Sequence, residues 1–405
     1  MSSSNPSGQN GRPDQVNLFG QDHFQAAVSN SQASLGGAEQ PFFKIVATDP
    51  HSQARTGQVR TSHGLIRTPM FMPVGTRASV KAVAPDDLAA LGAEIVLANT
   101  YHLMLRPGPE IIKALGGLHR FMGWPGPIIT DSGGYQVFSL SAMRKLTDDG
   151  VGFKSTYDGS SIFLTPEKAV ELQEGFGVDI LMCLDECTTY PASREETEKS
   201  LNLTLNWAKR SKKAWQGPGA LFGIAQGGFY PDLRRQAAEA IKELDFPGQA
   251  VGGLALGEPL AERLTAIESA VSALDSQKPV YLMGLGTPLD LMEGIKRGAD
   301  LFDCVMPTRN ARNGQLFTRG GKINVLNARY KAETTPPDDQ CGCYTCQNFS
   351  LAYLRHLHQN REPLYLRLAT IHNLRYYLDL MREARNALIN GTFMCYYNQF
   401  MSQQP

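Results

Sequence analysis

Residues 279–307 read PVYLMGLGTPLDLMEGIKRGADLFDCVMP: an apolar run, a Thr-Pro pair, a helical stretch and a second apolar run carrying Asp303. Thr287-Pro288 marks a helix start, because Pro at the first helical position gives up an N–H that has no intrahelical partner. Apolar runs without polar alternation suit strands buried on both faces of a parallel sheet. Working outward, similar runs recur at MFMPVGT (70–76), EIVLANT (94–100), PIITDSGG (127–134), DILMCLDE (179–186), ALFGIAQGG (220–228) and AVGGLAL (250–256). Helix starts fall between them at Thr165-Pro166-Glu167 and Pro231-Asp232. Ser193 with Glu196 forms a capping box opening a helix through about Trp215. Eight strands alternating with helices over about 250 residues predict a TIM (β/α)8 barrel, with a doubly wound sheet as the rival arrangement.

Two stretches break the alternation. GFKSTYDGSSIFL (152–164) carries Asp158-Gly159 between β-prone runs and predicts an inserted β-hairpin, and FTRGGKINVL (317–326) predicts a second one. The expected organisation is a disordered N-terminal tail over residues 1–40 and a barrel over 41–316. A metal-binding subdomain with closing helices would follow over 317–390, then a C-terminal tail over 391–405. Lys plus Arg equals Asp plus Glu at 39 each, so no global charge draws the chain to nucleic acid, although a local patch is enough. No apolar run approaches the roughly 18–20 residues of a membrane span, and MSSSNPSGQNGRP lacks the features of a secretory signal. A cytoplasmic protein is the expectation. Cys341, Cys343 and Cys346 lie within six residues, which reads as metal ligation in a reducing compartment. Tetrahedral zinc takes a fourth ligand, for which His356, His358 and His372 are the candidates.

In such a barrel the chemistry sits at the carboxyl ends of the strands. Asp131, Asp185 and Asp303 fall there, with Gln226 ending the fifth strand and Gly252-Gly253 interrupting the sixth. Any one Asp could simply cap the helix that follows it. Three acids, an amide and exposed backbone on one rim suit another task. Two carboxylates flanking an anomeric carbon serve glycosyl transfer, while the remaining polar groups could read a purine edge.

TDSGGYQVFSL (130–140), LDEC (184–187), GIAQGG (223–228), VGGLALGE (251–258), YLMGLGTP (281–288) and LFDCVMPTRNARNG (301–314) resemble the bacterial tRNA-guanine transglycosylases. CGCYTC followed by His372-Asn373 is similar to their zinc signature, and the match covers roughly residues 42–390. The resemblance implies exchange of guanine at the wobble position of tRNAs with a GUN anticodon for a 7-deazaguanine base. Asp303 would be the nucleophile, giving a covalent RNA intermediate, and Asp131 the general acid/base. Asp185, Gln226, Gly253 and Leu254 would read the base edge. Tyr135 and Met283 would sandwich its faces, and Ser132 would lie beside the acid/base. Cys341, Cys343, Cys346 and His372 would hold one structural Zn2+. A non-catalytic partner subunit should lack Asp303, and a zinc hydrolase should carry its ligands at strand ends.

Three further expectations concern partners. Arg309 and Arg312 open the densest basic run, continuing through Arg319, Lys322, Arg329 and Lys331, and are expected to contact RNA. Phe349, Tyr353 and His356 recur on one helix face and suit a homodimer, as the resemblance also implies. Leu256 stands where queuine-using relatives carry Gly, and Cys187 where they carry Val. These positions, with Glu258 pairing an ammonium, point to the small precursor 7-aminomethyl-7-deazaguanine (preQ1) as the incoming base.

Overall fold

The computed structural model describes residues 41–140 and 145–403, so the tail expected over 1–40 lies outside the described residues. The chain opens with an antiparallel sheet that a search for continuous apolar runs does not find. β1 (Phe43–Thr48), β2 (Arg55–Thr61) and β3 (Gly64–Thr68) pair in that order. β1 alternates buried and exposed residues, as a strand with one solvated face must. Arg55 fastens this sheet to the amino end of the barrel, its buried guanidinium donating to Asp300 at 2.6 Å and to the Lys278 carbonyl at 2.7 Å.

The barrel begins at β4 (Met70–Met72), β5 (Val96–Ala98) and β6 (Ile128–Thr130). Then β7 (Lys145–Thr147), β8 (Gly150–Lys154) and β9 (Ser161–Leu164) stand apart as a small antiparallel sheet. The barrel resumes with β10 (Ile180–Met182), β11 (Ala220–Ala225), β12 (Gly248–Val251), β13 (Val280–Leu282) and β14 (Leu301–Asp303). Its strands follow the order β4-β14-β13-β12-β11-β10-β6-β5, every pair parallel. A parallel bridge between Val74 and Leu97 closes the ring. Each apolar run of the sequence thus supplies one strand of a TIM barrel. The Ser193–Glu196 capping box opens the helix Arg194–Ala214, with Ser193 Oγ accepting from the Glu196 N–H at 3.2 Å.

The structure extends two expectations. The inserted hairpin is a three-stranded sheet: β8 and β9 pair across a turn in which Gly159 takes φ +73°, and β7 adds a strand too short and polar to read from sequence. The C-terminal tail over 391–405 is largely a helix, Phe393–Ser402, which buries Phe393, Tyr397 and Phe400 on one face. Before it, β15 (Gln315–Thr318) and β16 (Gly321–Asn324) form the second hairpin, and the long helix Pro363–Ile389 packs on both the barrel and the cysteine segment.

Candidate active site and metal centre

The barrel puts the chemistry on one rim. Asp131 follows β6, Asp185 lies past β10, Gln226 follows β11, Gly252-Gly253 follow β12, Met283 follows β13 and Asp303 ends β14. Every one is at a carboxyl end.

Asp131 is buried between two donors. Its Oδ2 accepts from Asn99 Nδ2, and its Oδ1 accepts from the Thr100 N–H at 2.8 Å, at the start of the helix Thr100–Leu105. Burial pushes its carboxyl up to about 6; the hydrogen bonds from Asn99, Thr100 and Gln136 oppose this, and the nearby Asp303 charge adds to it. Asp303 is differently held. One oxygen, Oδ1, accepts both from Tyr281 Oη at 2.6 Å and from the Gly284 N–H at 2.7 Å. Among the described residues Oδ2 takes no such bond. Burial raises this carboxyl above its ordinary range, against the pull of Tyr281 and Gly284. One acid is therefore saturated with donors and poised near neutrality, and the other keeps a free oxygen.

Asp185 and Gln226 form a pair, Gln226 Nε2 donating to Asp185 Oδ2 at 2.7 Å, with Ser132 Oγ 3.4 Å from Oδ1. Burial pushes Asp185 up to about 6. Gln226 lies against the glycines of the next strand end. A Cβ on Gly253 would sit 2.3 Å from Gln226 Oε1, and φ of +67° at Gly253 disfavours any side chain there. Tyr135 is half exposed and so is not a core aromatic, and Met283 is partly buried beside the rim.

Glu258 departs from its expected place. Its side chain is wholly buried, accepting from the Ala255 and Leu256 N–H groups, each at 2.7 Å, and from Arg263 Nε at 2.5 Å. Ammonium pairing is thereby displaced by a loop-holding role. The carboxylate keeps Ala255 at φ +58°, a conformation uncommon outside glycine. Arg263 in turn reaches Asp290 at 2.6 Å.

Sequence reasoning missed Asn99, Tyr281, Arg263 and, above all, Arg234. Arg234 has no exposed surface, yet donates to four carbonyls: Gly228 at 2.6 Å, Gly252 at 2.7 Å, and Ala225 and Gly253 at 3.2 Å. It staples the loops after β11 and β12 from behind. Burial lowers its pKa to about 10, so it stays charged at neutral pH. Only its place in a helix of Leu and Ala could have hinted at burial.

Of the basic run, Arg309 is exposed and Arg312 half-buried on the helix Met306–Arg312, one turn past Asp303. Arg319 instead pairs with Glu383 at 2.6 Å, and Arg329 lies over the Tyr330 ring and donates to the Tyr330 hydroxyl.

The metal centre stands apart from this rim. Cys341, Cys343, Cys346 and His372 are buried with their ligand atoms within 4.8 Å of one another, and His372 Nδ1 lies 3.2 Å from Cys346 Sγ. His372 Nε2 donates to the Phe317 carbonyl at 2.7 Å, which leaves Nδ1 as the lone-pair nitrogen facing the thiols. Three thiols and one such imidazole fit a single structural Zn2+ with no open position. His356 and His358 are elsewhere, His358 packing on Tyr365 at 4.4 Å. Asn373, beside His372, links the module to the rim: it donates to the Pro307 carbonyl at 2.9 Å and accepts from the Phe317 N–H at 3.0 Å.

A second cluster is structural. His63 Nδ1 and His119 Nε2 contact Asp179 at 2.9 and 3.0 Å, with their rings stacked 3.6 Å apart. Each of these ring nitrogens spends its N–H on the carboxylate. Burial lifts Asp179, but hydrogen bonds from His119 and His63 outweigh it and hold the carboxyl well below its ordinary range.

Fold and site together define an α/β-barrel enzyme of group transfer, with paired rim carboxylates and a remote structural metal. Residues 49–405 match the family model described as queuine tRNA-ribosyltransferase. Curated proteins of that name are similar along most of the chain. The Acidithiobacillus ferrooxidans protein is 53% identical, covering 88% of this chain and 96% of its own. That of Caldanaerobacter subterraneus subsp. tengcongensis is 51% identical, covering 89% and 97%. The Nitratidesulfovibrio vulgaris protein is 53% identical, covering 90% and 97%. The chain belongs to the queuine tRNA-ribosyltransferase family, the tRNA-guanine transglycosylases of queuosine biosynthesis.

Proposed function

We propose that this enzyme exchanges guanine at the wobble position of GUN-anticodon tRNAs for preQ1, with Asp303 as nucleophile and Asp131 as general acid/base. The observation that carries this is the asymmetry of the two carboxylates. Asp303 Oδ2, bare of donors, forms the bond to ribose C1′ as the C1′–N9 bond breaks and its electron pair leaves on guanine. Tyr281 and Gly284 hold Oδ1 and fix the direction of attack. Asp131, pushed up to about 6, gives a proton to the departing base and takes one from the incoming base, so the cycle closes without net proton change. Asp185, Gln226, Gly253 and Leu254 read the purine edge, Ser132 supports Asp185, and Tyr135 and Met283 cover the base faces. Cys341, Cys343, Cys346 and His372 would hold Zn2+, whose contribution would be rigidity, while His372 and Asn373 tie the module to β15 and to Pro307 at the start of the helix behind the nucleophile.

Arg309 and Arg312 meet RNA phosphates on this reading. A homodimer forms through Phe349, Tyr353 and His356, whose rings stack at 5.5 and 6.4 Å with Tyr353 exposed. No helix among the described residues is long and apolar enough to cross a membrane, and a tRNA substrate supports a cytoplasmic enzyme. The test is labelled guanine exchange into a GUN-anticodon tRNA, with a denaturant-resistant protein–RNA adduct trapped in wild type and lost in Asp303→Asn. An undiminished adduct in that variant would overturn the assignment.

A further inference from the structure

The rim carries a basic cluster that the base-exchange chemistry leaves unused. Arg77 follows the first barrel strand, Arg106 ends the helix Thr100–Leu105, and Tyr157 sits in the turn between β8 and β9. Both guanidiniums lie over the one ring, Arg106 at 4.3 Å from its centroid and Arg77 at 5.7 Å. Both are exposed, and neither has a carboxylate partner among the described residues. Asp158, beside Tyr157 in sequence, is occupied by Ser160, whose N–H and hydroxyl donate to it at 3.2 and 2.8 Å. Lys81 and Arg77 also act on His102, whose Nδ1 is buried without a partner.

Two like charges held against one aromatic ring repel each other. The ring offsets part of that cost by cation–π attraction and holds both side chains ready, which is useful only if an anion completes the arrangement. The anion's nature follows from position. The helix that ends at Arg106 begins at Thr100, whose N–H holds the Asp131 carboxylate, and six residues span only about 9 Å. Guanidinium forks match phosphate oxygens in pairs.

We propose that Arg77 and Arg106, ordered by the face of Tyr157, clamp a backbone phosphate of the RNA substrate next to the nucleotide being exchanged. This rests on the RNA-transglycosylase reading above. The clamp positions RNA and takes no part in proton or glycosyl transfer. Its contribution lies in tRNA affinity alone.

The test compares full-length wild type with Arg77→Ala/Arg106→Ala, Tyr157→Phe and Tyr157→Leu in labelled guanine exchange over a range of salt. The double variant should raise the KM for tRNA at least tenfold, with kcat and the KM for free base unchanged. Losing one single-strand phosphate contact should flatten the plot of log affinity against log salt by about 0.7. Tyr157→Phe keeps the ring face and should match wild type, whereas Tyr157→Leu keeps both charges but should raise KM severalfold. An unchanged salt slope in a double variant that melts like wild type would overturn the clamp. A lowered melting temperature with unchanged KM would do so too, leaving only a role in holding the β8–β9 turn. If wild type itself fails to exchange guanine, the transglycosylase reading falls first, so the two failures are distinguishable.

Discussion

Replacing Arg234 by Met removes the staple behind the base-reading loops and keeps most of its buried volume. Four carbonyls lose a donor, but Ala225 still accepts from the Gly252 N–H at 3.1 Å. Gly228, Gly252 and Gly253 are left without their guanidinium partner, the first two of them buried and Gly253 half-buried. An unpaired buried carbonyl costs about 1–3 kcal/mol, and the loops border an open cleft where water can meet part of the need. Removing a buried charge also returns some desolvation energy. A net loss of about 2–3 kcal/mol is the expectation, equivalent to roughly 30- to 150-fold in an equilibrium constant. The loss should fall on the loop that carries Gly253 and Leu254. In guanine exchange at saturating tRNA, the KM for free base should rise by that factor, while the KM for tRNA stays fixed and kcat changes little. Arg234→Lys, with three donors on a point charge, should fall between the two. A folded Arg234→Met enzyme with an unchanged base KM would refute the reasoning, because the loop would then be holding its own shape.

Three other outcomes follow from the same geometry. Burial pushes Asp185 up to about 6 from an ordinary 3.8, so the folded state binds this proton more tightly than the unfolded chain. Its stabilising share is full below about pH 4 and lost as pH rises through about 6, costing about 3 kcal/mol by pH 7.5. The stability gap between wild type and Asp185→Asn, read by denaturant unfolding, should therefore move by about that amount in the variant's favour between pH 4 and 7.5; a flat gap contradicts it. Metal analysis should find one zinc per chain, and Cys343→Ser should lose zinc and stability together, with exchange falling as Asn373 releases Pro307. Retained stoichiometric zinc would speak against the four-ligand site. Leu256, half-buried beside the loop that Glu258 holds, should disfavour queuine against preQ1 by roughly 5- to 150-fold, the equivalent of about 1–3 kcal/mol of overpacking. Equal competition by the two bases for guanine incorporation would remove the steric argument.

The barrel was legible because parallel strands buried on both faces write themselves as continuous apolar runs, and each of the eight ends in a residue that cannot continue the run. Asp131, Asp303 and Gln226 could be picked out because a polar side chain directly behind such a run has no place in the core. The metal site was legible from spacing and from the resemblance, which singled out His372 over His356 and His358, and the fold brings His372 back over 26 residues to Cys346. What sequence hides is the layer behind the rim. Arg234 reads as one more charge on an amphipathic helix, and its direction depends on a packing that no local period encodes. Tyr281 reads as a core aromatic, which it is, except for the hydroxyl that reaches Asp303. Glu258 reads as a free carboxylate beside a substrate and is instead spent on two backbone N–H groups and Arg263. In each case residue type announces a polar group, but only the fold decides whether that group meets the substrate or holds the one that does. The residues proposed to touch substrate are therefore the more readable half of this site, and the buried polar groups that aim them are where substitution should test the mechanism hardest.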